Sequence, residues 1–120
     1  MVMTWEYIAG FLDADGHMHY LKCSKEASIA QKDPTVLYKI GDFLRANGIT
    51  CNIYEEVRKN TPQYRKYWNL KVQQRESMER FIPKIFPYLI VKKVIAQDIM
   101  RFMKLFPRRR RLKSNVKVLP

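Results

Sequence analysis

The sequence predicts an α+β fold with the element order α-β-β-α-β-β-α-α, in which two hairpins supply antiparallel strands. Apolar residues recur at helical spacing in several segments, and two other segments alternate apolar and polar residues around a turn. The chain has 120 residues, enough for one domain with its own core. We expect that domain to span 1–107 and a basic tail to span 108–120.

The first helix is predicted from Thr4 to Leu12, and Gly16 is expected to end it in a left-handed turn. Its buried face carries residues at i, i+3, i+4 and i+7: Trp5, Ile8, Ala9 and Leu12. The same helix carries small residues at Ala9, Gly10 and Ala14. Glycine costs helix propensity, so this small surface indicates that another helix approaches the backbone closely.

A hairpin is predicted over residues 17–32, with its turn near Ser24 to Glu26, because the pattern there changes to period two. The second helix follows, with Asp33 at the N-cap, Pro34 at the first helical position and Gly48 after the end. Its predicted buried side chains are Val36, Leu37, Ile40, Phe43 and Leu44.

A second hairpin is predicted from strands over 51–59 and 64–73, separated by a turn-like NTPQ segment. The remainder is predicted to be helical, with Pro83 and Pro87 as interruptions. One buried face is expected from Met78, Phe81, Ile82 and Ile85. A second buried helical face is expected before Pro107, and its residues are Val91, Val94, Ile95, Ile99, Phe102 and Phe106.

The charge balance points to a polyanionic partner. Lys and Arg number 23 against 11 acids, which gives a formal net charge of +12, and nucleic acid is the first expectation. The two cysteines, Cys23 and Cys51, match neither a disulfide framework nor a metal-site spacing, so we expect reduced thiols in an intracellular protein. That compartment would be the cytoplasm of a prokaryote or an organelle. No secretory leader, membrane span or membrane partner is expected.

The end of the first helix is acidic, with Asp13 and Asp15 where a helix disfavours negative charge. Each carboxylate there costs a few tenths to about 1 kcal/mol. A divalent cation offsets that cost, and a hard ion such as Mg²⁺ prefers oxygen ligands. The carbonyl of Ala14 lacks an intrahelical partner and is a further candidate ligand.

Other metal sites fit the residues less well. An EF-hand calcium loop counted from Asp13 would need an oxygen ligand at position 5, Gly at 6 and Glu at 12, where His17, Met18 and Ser24 stand. A zinc site formed by both histidines of the first strand and Cys23 matches no usual ligand spacing.

The segment IAGFLDADG, residues 8–16, closely resembles the LAGLIDADG motif of homing endonucleases. Six of its positions match that motif outright: Ala9, Gly10, Asp13, Ala14, Asp15 and Gly16. No second D-x-D-G occurs, so the chain resembles the single-motif members, which act as homodimers. The resemblance implies a LAGLIDADG domain whose motif helices pair and whose four-stranded, saddle-shaped antiparallel sheets lie in the DNA major groove.

The activity that the resemblance implies is site-specific hydrolysis of double-stranded DNA at a long, nearly palindromic target, leaving short 3′ overhangs. It implies an intron-encoded enzyme that depends on Mg²⁺, with Mn²⁺ able to substitute and Ca²⁺ supporting binding without cleavage. The metal ligand that the resemblance implies is Asp15, and the Ala14 carbonyl stays a candidate from the helix-end chemistry alone. Dimer contacts are implied for Ala9, Gly10, Asp13 and Ala14, with Asp13 serving the helix end rather than the metal.

Two further catalytic positions are assigned by likeness to the family. Gln31, at the end of the second strand, would hydrogen-bond an attacking water, and Lys92 would stabilise charge or lower the pKa of that water. Lys93 is the alternative to Lys92. An Arg common in the family has no match, because Thr35 stands there.

The residues expected to touch base edges are those with outward parity on the strands. They are His19, Ser24, Glu26, Ser28, Asn52, Tyr54, Glu56, Arg58, Arg65, Tyr67, Asn69, Lys71 and Gln73. Phosphate contacts are expected from Lys22, Lys32, Lys59, Lys66 and the run 108–111.

Three alternatives to the endonuclease remain open. An RNA maturase that binds intron RNA, or a DNA-binding protein that does not cleave, would carry the same fold and charge. A basic structural or ribosomal protein would explain the charge but not the acid-ended helix.

Overall fold

The computed structural model describes residues 2–21, 24–58 and 65–105, with backbone alone at positions 58 and 65. The elements are α1 (Trp5–Asp15), β1 (Gly16–Tyr20), β2 (Lys25–Gln31), α2 (Thr35–Ala46), β3 (Asn52–Arg58), β4 (Arg65–Val72), α3 (Arg75–Ile85), a 3₁₀ turn (Phe86–Tyr88) and α4 (Lys93–Leu105). This order confirms the prediction. The expected tail at 108–120 lies outside the described residues.

The four strands form one antiparallel sheet in the order β1-β2-β4-β3. The inward side chains are apolar and buried: Met18, Ala27, Ile29, Leu70 and Val72. The helices contribute the rest of the same core, mainly through Ile8, Leu12, Leu37, Ile40, Leu44, Met78, Ile82 and Ile85. The opposite face of the sheet is left for polar residues, as the period-two pattern predicts.

Helix α1 is longer than predicted and runs to Asp15. The Thr4 hydroxyl caps its N-terminus by accepting the Tyr7 N–H at 3.1 Å. The helix buries Ile8, Ala9 and Leu12, and the Trp5 ring stands edge-on to Phe43 of α2, with the ring centroids 4.9 Å apart. Both acids of the motif therefore belong to the last turn of the helix.

Gly16 does not take the left-handed turn expected of it. Its backbone is extended, with φ −103° and ψ 179°, because strand β1 begins at this residue. A Cβ at this position would stand 2.8 Å from both the Cα and the carbonyl oxygen of Leu12, closer than such atoms approach. Glycine is required here by the close contact between backbones rather than by a positive φ.

Helix α2 starts one residue later than predicted, at Thr35, while the capping chemistry is as expected. The Asp33 carboxylate accepts the Thr35 N–H at 2.9 Å and the Thr35 hydroxyl at 2.8 Å. These two bonds lower the pKa of Asp33. After the helix, Gly48 has φ 78°, which confirms its predicted place beyond the end.

Two predictions for the C-terminal helices are wrong. Pro83 lies inside the last turn of α3, where only the Glu79 carbonyl loses its helical partner, so the helix is not interrupted. The buried face of helix α4 is only partly the predicted one: Ile99 is buried as expected, together with Ala96, and the Phe102 ring lies 5.2 Å from that of Tyr20. Three of the side chains predicted to be buried are exposed instead: Val91, Val94 and Ile95. Phe106 lies outside the described residues.

Among the described residues, no helix is both long and apolar enough to cross a bilayer.

Candidate active site

Asp15 and Gln31 are neighbours at one end of the sheet. Asp15 is the last residue of α1 and is exposed, and Gln31 is the last residue of β2. The Gln31 Nε2 donates to the Asp15 Oδ2 at 3.2 Å. These two residues, which were both assigned to catalysis, are 16 positions apart in the sequence and in direct contact in the fold.

Asp13 points elsewhere and holds a different segment. Its Oδ2 accepts the Ile90 N–H at 2.6 Å, and its Oδ1 accepts the Lys92 N–H at 2.9 Å. Partial burial raises the pKa of Asp13, but the N–H groups of 90–92 and the nearby Lys92 charge outweigh burial and lower the pKa below its ordinary value. Asp13 is therefore held as a carboxylate by the backbone just before α4.

The structure distinguishes between the two candidate lysines. The Nζ of Lys92 donates to the main-chain oxygen of Asp13 at 2.8 Å, which brings it to the end of the motif helix. Lys93 is exposed and its Nζ lies 5.1 Å from the centre of the Phe86 ring. Of the two, Lys92 is the lysine whose ammonium contacts the end of α1.

The donor chemistry at this end of α1 fits a hard cation. The Asp15 carboxylate and the last-turn carbonyl of Ala14 are oxygen donors, and both residues are exposed. Within residues 2–21, 24–58 and 65–105, no three side chains of His, Cys, Asp or Glu come together as a metal site.

The residues expected at a helix pair divide into two groups. Gly10 and Ala14 are exposed one turn apart, and a Cβ on Gly10 would meet nothing within 4 Å. Ala9 is fully buried inside the protomer, so the expected dimer contact for Ala9 is wrong. Its position on the apolar face at i+4 from Trp5 explains the error, since small size alone does not show which side a residue faces.

The outward face of the sheet contains the predicted base-reading residues. Strand register places His17, Ser28, Lys71 and Asn52 in one cross-strand row and Ala30, Asn69 and Tyr54 in the next. Glu56 pairs with Tyr67, and His19 pairs with Glu26. The predicted outward parity is confirmed for the residues of these rows and pairs other than His17, which was not among those predicted. The side chains of Arg58 and Arg65 lie outside the described part, as do Lys22, Lys59 and 108–111.

An ion pair links two strands on this face. The Glu26 carboxylate receives the Lys71 ammonium at 3.4 Å and the Gln73 amide at 3.4 Å. A hydrogen bond to the Tyr54 hydroxyl raises the pKa of Lys71, partial burial opposes this effect, and the Glu26 charge adds to it. The Lys71 Nζ also lies 5.6 Å from the centre of the Tyr54 ring. These contacts fix the position of a cation on the polar face.

A second network orients an amide. The Asn69 Nδ2 donates to the Glu56 Oε1 at 2.7 Å, and Asn69 is only 7% exposed although it belongs to the outward set. The Asn69 side chain is thus covered by its neighbours, unlike the exposed Asn52 of β3. Lys32 and Lys66 are exposed, as expected of residues that contact phosphates.

His17 is an outward residue that the sequence prediction left out. It is exposed, and its Nε2 lies 3.0 Å from the Nδ1 of His19, whose Nε2 lies 2.8 Å from the Ser24 hydroxyl. Met18 between the histidines is buried. The signal was present, because assigning His19 outward assigns His17 outward two residues earlier.

Comparison with known proteins agrees with this architecture. A family model described as a LAGLIDADG-like domain matches residues 4–85. Two solved structures of the homing endonuclease I-CvuI are similar, at 20% and 21% sequence identity with TM-scores of 0.62 and 0.58. Each match covers 87% of this chain and 68% of the other. One holds I-CvuI with the I-CreI target in magnesium with the DNA not cleaved, and the other holds it with its own target in calcium. No curated protein matches the sequence.

Proposed function

The chain belongs to the LAGLIDADG-like domain family, and from that premise we propose that it is a site-specific endonuclease for double-stranded DNA. The observation that carries the proposal is the exposed Asp15 carboxylate, bonded to Gln31, at the end of the motif helix and the edge of a polar sheet face. I-CvuI, a homing endonuclease of the same fold, was crystallised on DNA targets. The net charge of +12 suits a DNA partner.

The chemistry proposed for the site is metal-assisted hydrolysis of a phosphodiester. Asp15 and the Ala14 carbonyl would hold Mg²⁺, which when bound supplies positive charge that stabilises the transition state and acidifies a water. Gln31 would hydrogen-bond and orient that water, a role supported by the bond that its amide donates to the Asp15 carboxylate. Lys92 adds a cation beside the same helix end, where negative charge develops on the phosphate.

We further propose that two copies act together. Gly10 and Ala14 are exposed one turn apart and leave one face of α1 open to close approach. Ile90 and Val91, beside the same helix end, are 84% and 73% exposed, an apolar surface that pairing would cover. Two copies related by a two-fold axis match a nearly palindromic target.

The target would be read by the outward face of the sheet. Lys71 and Asn52, paired on neighbouring strands, would meet base edges, and the exposed Lys32 and Lys66 would meet phosphates. We propose short 3′ overhangs as the product and an intron as the source of the gene, both by likeness to the family.

The experiment is cleavage of a DNA library that contains candidate intron insertion sites, with broken ends mapped by sequencing. In Mg²⁺ or Mn²⁺ we expect recurrent double-strand breaks at one nearly palindromic site, and none in Ca²⁺ or EDTA. Asp15→Asn should abolish cleavage and keep DNA binding. Asp42→Asn is the charge-matched control, because Asp42 is exposed on α2 and makes only a 3.8 Å pair with Arg45.

Binding that weakens with salt but never leads to a break would contradict the endonuclease. Such a result would favour a maturase or a DNA-binding protein that does not cleave. Equal activity in Asp15→Asn and wild-type protein would show that the carboxylate is not part of the site.

A further inference from the structure

The segment between the 3₁₀ turn and α4, residues 89–92, is hydrogen-bonded to Asp13 of α1. Leu89 anchors one end and Ala96 the other, and both are buried. Between them, Ile90, Val91 and residues 93–95 are exposed. Because this stretch buries little apolar surface, the hydrogen bonds that the Asp13 carboxylate accepts from Ile90 and Lys92 fix its position.

The side chains of the two motif acids, Asp13 and Asp15, point in different directions. Residues two apart on an α-helix point about 200° apart, since each residue turns the chain by about 100°. Asp15 accordingly meets Gln31 of β2, whereas Asp13 meets the segment that leads into α4. One helix turn thus carries one acid that is exposed and another that is occupied by backbone donors.

We infer that Asp13 is a positioning residue for Lys92, a role that rests on the proposed endonuclease function. The Asp13 carboxylate holds the Lys92 N–H, and the Asp13 carbonyl accepts the Lys92 Nζ at 2.8 Å. Lys92 is therefore bound at both its backbone and its ammonium by one residue. The arrangement fixes the ammonium relative to Asp15, two residues further along α1.

Asparagine cannot replace Asp13 in this arrangement. The carboxylate accepts a backbone N–H on each of its two oxygens. In Asp13→Asn one of these acceptors becomes an NH₂ group, which would face an N–H donor and break that bond. The variant keeps the size of the side chain but can no longer accept both backbone N–H groups.

The first test uses metal-free protein without DNA and follows amide hydrogen exchange by NMR. Asp13→Asn should raise the exchange rate of at least one of the Ile90 and Lys92 amides about tenfold or more, since the remaining side-chain oxygen can accept only one of them. The control is Thr4→Ala, which removes a cap at the other end of the same helix and should leave these two amides unchanged. Unchanged exchange in Asp13→Asn would overturn the inference.

The second test is a double-mutant cycle on cleavage in Mg²⁺. Asp13→Asn should lower kcat about 10- to 100-fold with KM within about threefold, because displacement by about 1 Å can have that effect. In a Lys92→Met background, Asp13→Asn should change kcat by less than about twofold, since the lysine that it positions is absent. Thr4→Ala should stay within about twofold of wild type.

The outcomes separate the two proposals. If wild-type protein cleaves DNA and the fold-losses of kcat caused by the two substitutions multiply in the double mutant, Asp13 acts independently of Lys92 and the inference is wrong. If wild-type protein does not cleave under any condition, the proposed function fails together with the catalytic half of the inference. The exchange measurement still decides whether Asp13 holds the segment.

Discussion

Gly10→Ala should strengthen the protomer and weaken the proposed dimer. Gly10 is the sixth of eleven residues in α1, and a Cβ there would meet nothing within 4 Å in one copy. Alanine in place of glycine in a helix interior stabilises by about 0.5–1 kcal/mol. The free energy of unfolding of the isolated protomer should rise by that amount.

At a close helix crossing the same methyl group would be too large. Two added methyl groups, one from each copy, would overpack the contact and cost about 1–3 kcal/mol. That cost raises the dissociation constant about 5- to 150-fold. Cleavage should then fall at low protein concentration and recover when the concentration is raised.

The assay combines sedimentation equilibrium with urea denaturation at concentrations below dimer formation. Gly48→Ala is the control, because Gly48 has φ 78° and belongs to the connection between α2 and β3 rather than to α1. It should lower stability by about 1 kcal/mol and leave association unchanged. An unchanged dissociation constant in Gly10→Ala would refute pairing through the exposed face of α1. A lower free energy of unfolding in Gly10→Ala would show that a Cβ at this position clashes within the protomer, against the open space described here.

Three other predictions follow from the described contacts. Gly16→Ala should lower the free energy of unfolding by about 1–3 kcal/mol, measured by urea midpoint, because its Cβ would stand 2.8 Å from backbone atoms of Leu12; an unchanged midpoint would contradict this. Because the folded pKa of Asp13 is lowered, its ionised form stabilises the fold above about pH 4 and this contribution is lost as the pH falls through the folded value. The Tm difference between wild type and Asp13→Asn should therefore shrink toward pH 2.5, and a difference that grows on acidification would contradict the assignment. Cys51 is buried, and burial raises the pKa of its thiol. In a Cys23→Ser background, Ellman's reagent at pH 8 should therefore label Cys51 only as fast as the protein opens. Rapid labelling would show that Cys51 is not buried.

The sheet could be predicted well because its signal is local. Leu70 and Val72 are buried while Lys71 between them faces outward, and the register aligns Lys71 with Ser28 and Asn52. Period two alone fixes which side each residue takes once one face is apolar. The Gly48 position and the Asp33 cap were predictable for a similar reason, since both depend on a few neighbouring residues.

The errors arise where the determining partner is distant or absent from the pattern. Asp13 is bound to groups 77 and 79 residues away, which no local spacing indicates. Val91, Val94 and Ile95 are apolar but exposed in one copy, and periodicity cannot show whether a surface is covered by the same chain or by another. The role of Gly16 depends on a steric contact with Leu12, whereas the sequence shows only a glycine after a helix.

The junction between α1 and β1 contains no loop residue: Asp15 ends the helix and Gly16 begins the strand. A connection of several residues would absorb small movements of the strand before they reached the helix. Here the backbone has no slack, so a strand displaced by an ill-fitting surface would carry the Asp15 carboxylate with it. The position of the Asp15 carboxylate therefore depends directly on how the sheet lies on the surface that it binds.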